Sequence, residues 1–222
     1  MTGRSEELDG IVNDSITRFQ EKSKARERGL QISRGVIRLS ANAIRAVHRK
    51  EFDRAEGLLA EAEALLKEAD VVLSEHLDIY YAGFIPDAQK EYAEGRVALS
   101  IIRGEAVPGP GTLGVGDAPY LNGLGEVVGE LRRYILDTLR RGETEGCEDM
   151  LSVMEDIYSL LVTVDFPDAM TGSLRRTTDN VRGILERTRG DVTMALTSQR
   201  LGDKLIAANL IDEKGARPDT GL

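Results

Sequence analysis

The sequence has no tryptophan, one cysteine and two histidines in 222 residues. A single thiol, Cys147, excludes an internal disulfide framework and any cysteine-based zinc cage. His48 and His76 lie far apart in the chain, which speaks against histidine-rich metal ligation. Only 5% of residues are aromatic, so no stacking platform for single-stranded nucleic acid stands out. No apolar run approaches the roughly 20 residues needed to span a bilayer. The opening stretch Met1-Thr2-Gly3-Arg4-Ser5-Glu6-Glu7-Leu8 lacks the apolar segment of a secretory signal. A P-loop, a Gly-x-Ser-x-Gly elbow and an HExxH pair are also missing. Gly114-Val115-Gly116 follows no strand pattern, which leaves a dinucleotide site unsupported. Together these absences predict a soluble cytoplasmic protein with no membrane partner.

What is present is ample apolar content, 41%, and 30% charged residues. That composition supports a real core and argues against wholesale disorder. The 29 basic and 38 acidic residues give a net charge of −9, which opposes indiscriminate nucleic-acid binding. The charge is unevenly placed, however. From Arg18 to Lys50 there are ten basic residues and only Glu21 and Glu27 as acids, so this stretch carries +8 and the remainder −17. A basic arm on an acidic body points to a polyanionic partner.

Apolar residues recur at helical spacing nearly throughout, and no convincing run of alternating β-branched residues occurs. The pattern predicts helices over about 5–47, 53–73, 86–103, 120–141, 145–162 and 173–209. Gly29 and Gly35 fall inside the first, each costing about 1 kcal/mol against alanine. Pro86 suits the first turn of the third, and Ser173 is the expected N-cap of the last. The glycine- and proline-rich stretch 104–119 reads as a loop. The expected fold class is all-α: a single-domain bundle of six or seven helices over residues 1–209, with a very long N-terminal helix. Residues 210–222 are expected to form a mobile tail.

Two side-chain patterns carry chemistry. On the first helix, with Arg34 at zero, Arg38, Arg45 and Arg49 fall within about 60°, while Ile32, Val36, Leu39, Ile44 and Val47 occupy the opposite side. The arginine stripe extends about 22 Å, enough to follow several phosphates, whose oxygens match the guanidinium fork. The competing reading is a solvated face whose arginines pair with acids elsewhere. It is weakened by the absence of Asp or Glu between Gly29 and Lys50.

The second pattern is acidic. On the third helix, Glu91 and Glu94 fall inside the arc marked by Val97, Ala98, Leu99, Ile101 and Ile102, about 240° round to 80° from Glu91. A carboxylate withdrawn from water needs a cation or hydrogen bonds, and two together favour a shared cation. Oxygen-only ligands suit Mg2+ or Mn2+. The alternative is a salt bridge from each to an arginine of another helix. On the fourth helix, Glu126 and Glu130 lie one turn apart and opposite the face formed by Leu121, Leu124, Val128, Leu131 and Ile135. Taken alone, that helix reads as having a solvated acidic face. A carboxylate-held metal would suffice for phosphodiester hydrolysis, without His or Cys.

These residues resemble the translin superfamily, especially Trax (translin-associated factor X) and its archaeal relatives. The likeness is carried by Ile85-Pro86-Asp87-Ala88-Gln89-Lys90-Glu91-Tyr92-Ala93-Glu94, by Tyr120-Leu121-Asn122-Gly123-Leu124-Gly125-Glu126-Val127-Val128-Gly129-Glu130-Leu131-Arg132-Arg133, and by Gly190-Asp191-Val192-Thr193. It extends over residues 5–205. It implies a helical bundle assembling into a hollow homo-oligomer, commonly an octamer, that encloses RNA. It further implies a metal-dependent endoribonuclease, with Glu91, Glu94, Glu126 and Glu130 as the catalytic and metal-binding acids. Mg2+ or Mn2+ is the implied cofactor, and RNA or single-stranded DNA the implied partner, with Arg34, Arg38, Arg45 and Arg49 on the backbone. Glu126 departs from the pattern: eukaryotic Trax typically has Asp there, so the charge is kept on a side chain one methylene longer. A non-catalytic, translin-like nucleic-acid binder is the alternative, and a helical scaffold for protein partners a third reading.

Overall fold

The computed structural model describes residues 2–208, with the side chains of 2–4 excepted. The expected tail, 210–222, lies outside the described residues. Among the described residues there are only helices: α1 (Thr2–His48), α2 (Phe52–Val72), α3 (Leu77–Tyr80), α4 (Phe84–Arg103), α5 (Pro110–Leu113), α6 (Asp117–Arg140), α7 (Cys147–Val162), α8 (Asp168–Thr171) and α9 (Leu174–Ala207). Six are long and answer to the six helical patterns in the sequence. The three four-residue helices lie where the sequence reads as breaks. None of the described helices is long and apolar enough to cross a membrane.

The described residues divide into two compact units, 2–127 with 166–174, and 128–165 with 175–208. The first is built on α1, α2 and α4. On α2, Ala55, Leu59, Ala62, Leu66 and Ala69 recur every three or four residues and are all buried. That spacing keeps one stripe facing a partner helix. Opposite them lie Ile32, Val36, Ala43, Ala46 and Val47 of α1, and Ile85, Ala88, Tyr92, Ala93 and Leu99 of α4, in one apolar core. Small residues let the helices approach closely. A Cβ on Gly35 would lie 2.9 Å from Leu65 Cδ1, and one on Gly29 3.0 Å from Phe84 Cε2. The glycines therefore do not break α1; they are where α2 and α4 dock on it.

Short elements join this core through specific bonds. Tyr80 Oη donates to Asp70 Oδ1 (2.8 Å) and accepts from Gln89 Nε2 (2.9 Å), and Gln89 Oε1 accepts from the Gly116 amide (3.3 Å). Burial, reinforced by the Asp70 charge, pushes the Tyr80 hydroxyl far up in pKa, so it stays a donor. Leu113 and Val115 enter the core, which fixes the glycine-rich segment. Asn122 Nδ2 donates to the Thr171 carbonyl (2.7 Å), tying the 166–174 segment to α6.

The second unit buries Val128, Leu131 and Ile135 of α6, Met154, Ile157 and Leu161 of α7, and Val181, Leu185 and Val192 of α9. Arg132 Nη1 reaches Asp191 Oδ2 (2.8 Å) and Thr188 Oγ1 (3.0 Å), and Arg189 Nη2 reaches Glu155 Oε1 (2.7 Å). Ser173 directly precedes α9 but has φ 66°, left-handed, not the extended backbone an N-cap favours.

Candidate functional site

The acidic motif of α4 is set by its tyrosine. Tyr92 is only 1% exposed, wedged into the apolar core, and its hydroxyl reaches toward Glu63 Oε2 at 3.4 Å. Its burial fixes the rotation of α4. Glu94 is then carried inward, to 7% exposure, while Glu91 sits at the rim with its side chain 26% exposed. Both acids are withdrawn from bulk water, as the helical arc predicts.

Glu126 arrives by a different route. Gly123, one turn earlier on α6, lies directly on α4: a Cβ there would come 2.7 Å from the Lys90 carbonyl oxygen and 3.2 Å from the Glu94 nitrogen. Only glycine fits so close an approach without displacement of the backbone. The side of α6 that carries Gly123 and Glu126 thus faces α4. The solvated face expected for Glu126 is corrected here. Its side chain is 38% exposed and bonded across to α4. The helical wheel misleads at this point because glycine counts as non-apolar in a hydropathy pattern, yet at a helix crossing it is the packing residue.

The result is a cluster of three carboxylates from two helices. One oxygen each from Glu91, Glu94 and Glu126 lies within 4.8 Å of the others. This donor set suits a hard divalent cation: all oxygen, partly desolvated and clustered at a helix crossing. Glu130 follows one turn later on α6, in the second unit, where Arg133 Nη1 lies 3.8 Å from its Oε2.

A fourth side chain joins the cluster, one absent from the candidates read off the sequence. Lys90 Nζ donates to Glu126 Oε1 at 2.6 Å and lies 3.4 Å from Glu91 Oε1. Burial would depress the ammonium pKa, but the bond to Glu126 and the charges of both acids outweigh it and the value is raised. Glu91 is also raised: desolvation dominates, Lys90 opposes it, and the Glu126 charge adds to it. The signal for Lys90 is present in the sequence. It falls at about 260° from Glu91, inside the same arc as the two glutamates. Lysine is ordinarily assigned to the surface, which hides the position among other charged residues.

On α1, Arg34, Arg38, Arg45 and Arg49 are all exposed. Arg45 Nη1 bonds Asn42 Oδ1 at 2.6 Å, and among the described residues no carboxylate pairs with any of the four. Basic residues nearer the N-terminus are engaged differently: Arg28 pairs with Glu68 at 2.5 Å, and Lys22 pairs with Asp78. The stripe is thus a row of solvent-facing guanidinium groups.

No protein-family model matches the chain. The uncharacterized protein MJ0175 of Methanocaldococcus jannaschii is 28% identical over 196 residues, covering 87% of this chain and 86% of that protein. The solved structure of AfC3PO with duplex RNA matches at 33% identity and a TM-score of 0.76, covering 84% of this chain and 97% of that one. The crystal structure of AfC3PO gives the same values. Apo-NeC3PO, at 24% identity and a TM-score of 0.70, covers 85% of this chain and 96% of its own, and shares the fold.

Proposed function

The chain belongs to the translin superfamily as a Trax-like protein, and from that premise we propose that it binds RNA and cleaves it as a metal-dependent endoribonuclease. The observation that carries the reading is the convergence of Glu91, Glu94 and Glu126 oxygens within 4.8 Å. Glu91 and Glu94 from α4 and Glu126 from α6 hold the ion, and Glu130 is included as a fourth acid on its sequence motif alone. When bound, Mg2+ or Mn2+ supplies the Lewis acid that polarises the phosphoryl group and acidifies the attacking water. Glu94, the most buried of the three, anchors the set. Glu91 and Glu126 at the rim leave an approach for a phosphodiester.

The arginine stripe of α1 holds the RNA backbone. Its four exposed forks match phosphate oxygens, and the relative AfC3PO forms a complex with duplex RNA. Assembly into a homo-oligomer, a hollow octamer in the fullest form of the reading, is part of the proposal. It is supported by α1, whose Leu8, Ile11, Val12 and Phe19 are 55–71% exposed.

Cleavage of a labelled duplex RNA, with Mg2+ and then with EDTA, tests the reading. Cutting should require the ion and stop in EDTA. Glu91→Gln and Glu94→Gln should each lower the rate about a hundredfold or more while RNA binding persists. Cutting unaffected by EDTA would overturn the mechanism. A non-catalytic, translin-like binder is the second reading, favoured by the ion pair that Lys90 already makes with Glu126. Tight RNA binding with no Mg2+-stimulated cutting would select it.

A further inference from the structure

Lys90 stands where a cation bridging the two helices would stand, and the proposed catalysis gives it no task. Its ammonium donates to Glu126 Oε1 of α6 at 2.6 Å and lies 3.4 Å from Glu91 Oε1 of α4. Those are two of the three carboxylates that offer an oxygen to the cluster. The ammonium therefore sits on two of the carboxylates that a metal would draw on. α6 crosses α4 at this residue, because a Cβ on Gly123 would lie 2.7 Å from the Lys90 carbonyl oxygen. The two helices are close at Lys90, whose side chain is only 24% exposed.

We infer that Lys90 is a resident counter-cation that holds the metal-free site together and competes with the divalent ion for Glu91 and Glu126. The inference rests on the metal-site reading above. Three acids from two helices repel one another, and one ammonium offsets part of that charge and joins α4 to α6. A lysine suits this task because its charge is a compact point on a flexible four-carbon stem, able to leave for water without moving the helix. A divalent ion held by these carboxylates repels an ammonium 2.6–3.4 Å from the same groups, so filling the metal site works against the Lys90 contacts. Lys90 thereby sets the metal concentration at which the site fills. It acts through the acids as a positioning residue.

The test is Mn2+ binding to the full chain, followed by electron paramagnetic resonance of the free ion, with Mn2+-induced change in melting temperature as a second readout. Lys90→Met should bind Mn2+ about tenfold more tightly than the parent, the scale of one lost charge-assisted hydrogen bond. Its metal-free melting temperature should fall, and its Mn2+-induced rise should exceed that of the parent. Lys90→Gln, neutral but still able to donate, should tighten binding in the same direction and serves if the methionine variant folds poorly. Lys90→Arg should bind as weakly as the parent. Equal or weaker binding in the neutral variants, with Mn2+ bound by the parent and lost in Glu94→Gln, would overturn the role of Lys90 and leave the metal site standing. No Mn2+ binding in the parent or any Lys90 variant would overturn both.

Discussion

Glu91 shows how one residue couples stability to function. Desolvation holds its pKa above the ordinary 4.5. The charged form is the disfavoured one in the fold, so the fold gains stability as pH falls through that range and gives it up above it. Glu91→Gln is neutral at every pH. In metal-free buffer it should melt higher than the parent at pH 7, and the advantage should fade as the pH drops to 4.5 and below. Thermal melts across this range check it, and a lower melt at pH 7 would contradict it. Glu91 and Glu94 are legible in the sequence because acids inside an apolar arc are conspicuous. Glu126 is not legible from hydropathy and enters through the family motif. Lys90 falls in the same arc and the same motif, yet a lysine there reads as one more surface charge.

Among the elements, α6 is positioned by its smallest residue. Gly123→Ala would place a methyl group against the α4 backbone and should cost about 1–3 kcal/mol, with loss of Mn2+ affinity as Glu126 moves away. Gly129, on the same helix, has open space where a Cβ would stand, with nothing within 4 Å, so Gly129→Ala should leave stability equal or raise it by up to about 1 kcal/mol. Denaturant melts of the pair separate a packing glycine from a tolerated one; equal losses would sink the docking of α6 on α4 through Gly123. On α1, removing one stripe arginine, as in Arg38→Ala, should lower the steepness of the salt dependence of RNA binding by about one unit. An unchanged slope would place the RNA elsewhere. The long helices are readable because period 3.6 persists over many turns. The four-residue helices α3, α5 and α8 are not. One turn carries too little pattern, and what fixes such segments is tertiary, as in the bond from Gln89 to Tyr80 or the burial of Leu113.

For the whole molecule, charge and exposed surface decide behaviour. With +8 on residues 18–50 and −17 on the remainder, a protein of net charge −9 still has the basic helix that the proposed phosphate contacts require. The exposed apolar residues of α1 predict self-association. Ile11→Asp with Phe19→Asp should shift the assembly to smaller species by light scattering after size exclusion, and an unchanged mass would exclude this stripe from the interface. The division into two units has no counterpart in the hydropathy pattern, because the helical period of α6 runs unbroken across Val127 and Val128, where the division falls. What matters most for function is whether α4 and α6 aim their acids at one ion, and crystals soaked in Mn2+ reveal this by anomalous scattering. A single anomalous peak is expected within about 2.2 Å of oxygens from Glu91, Glu94 and Glu126, with the Lys90 ammonium displaced. Crystals that take up Mn2+ elsewhere, or not at all, while the same preparation cuts RNA in a metal-dependent way would contradict it.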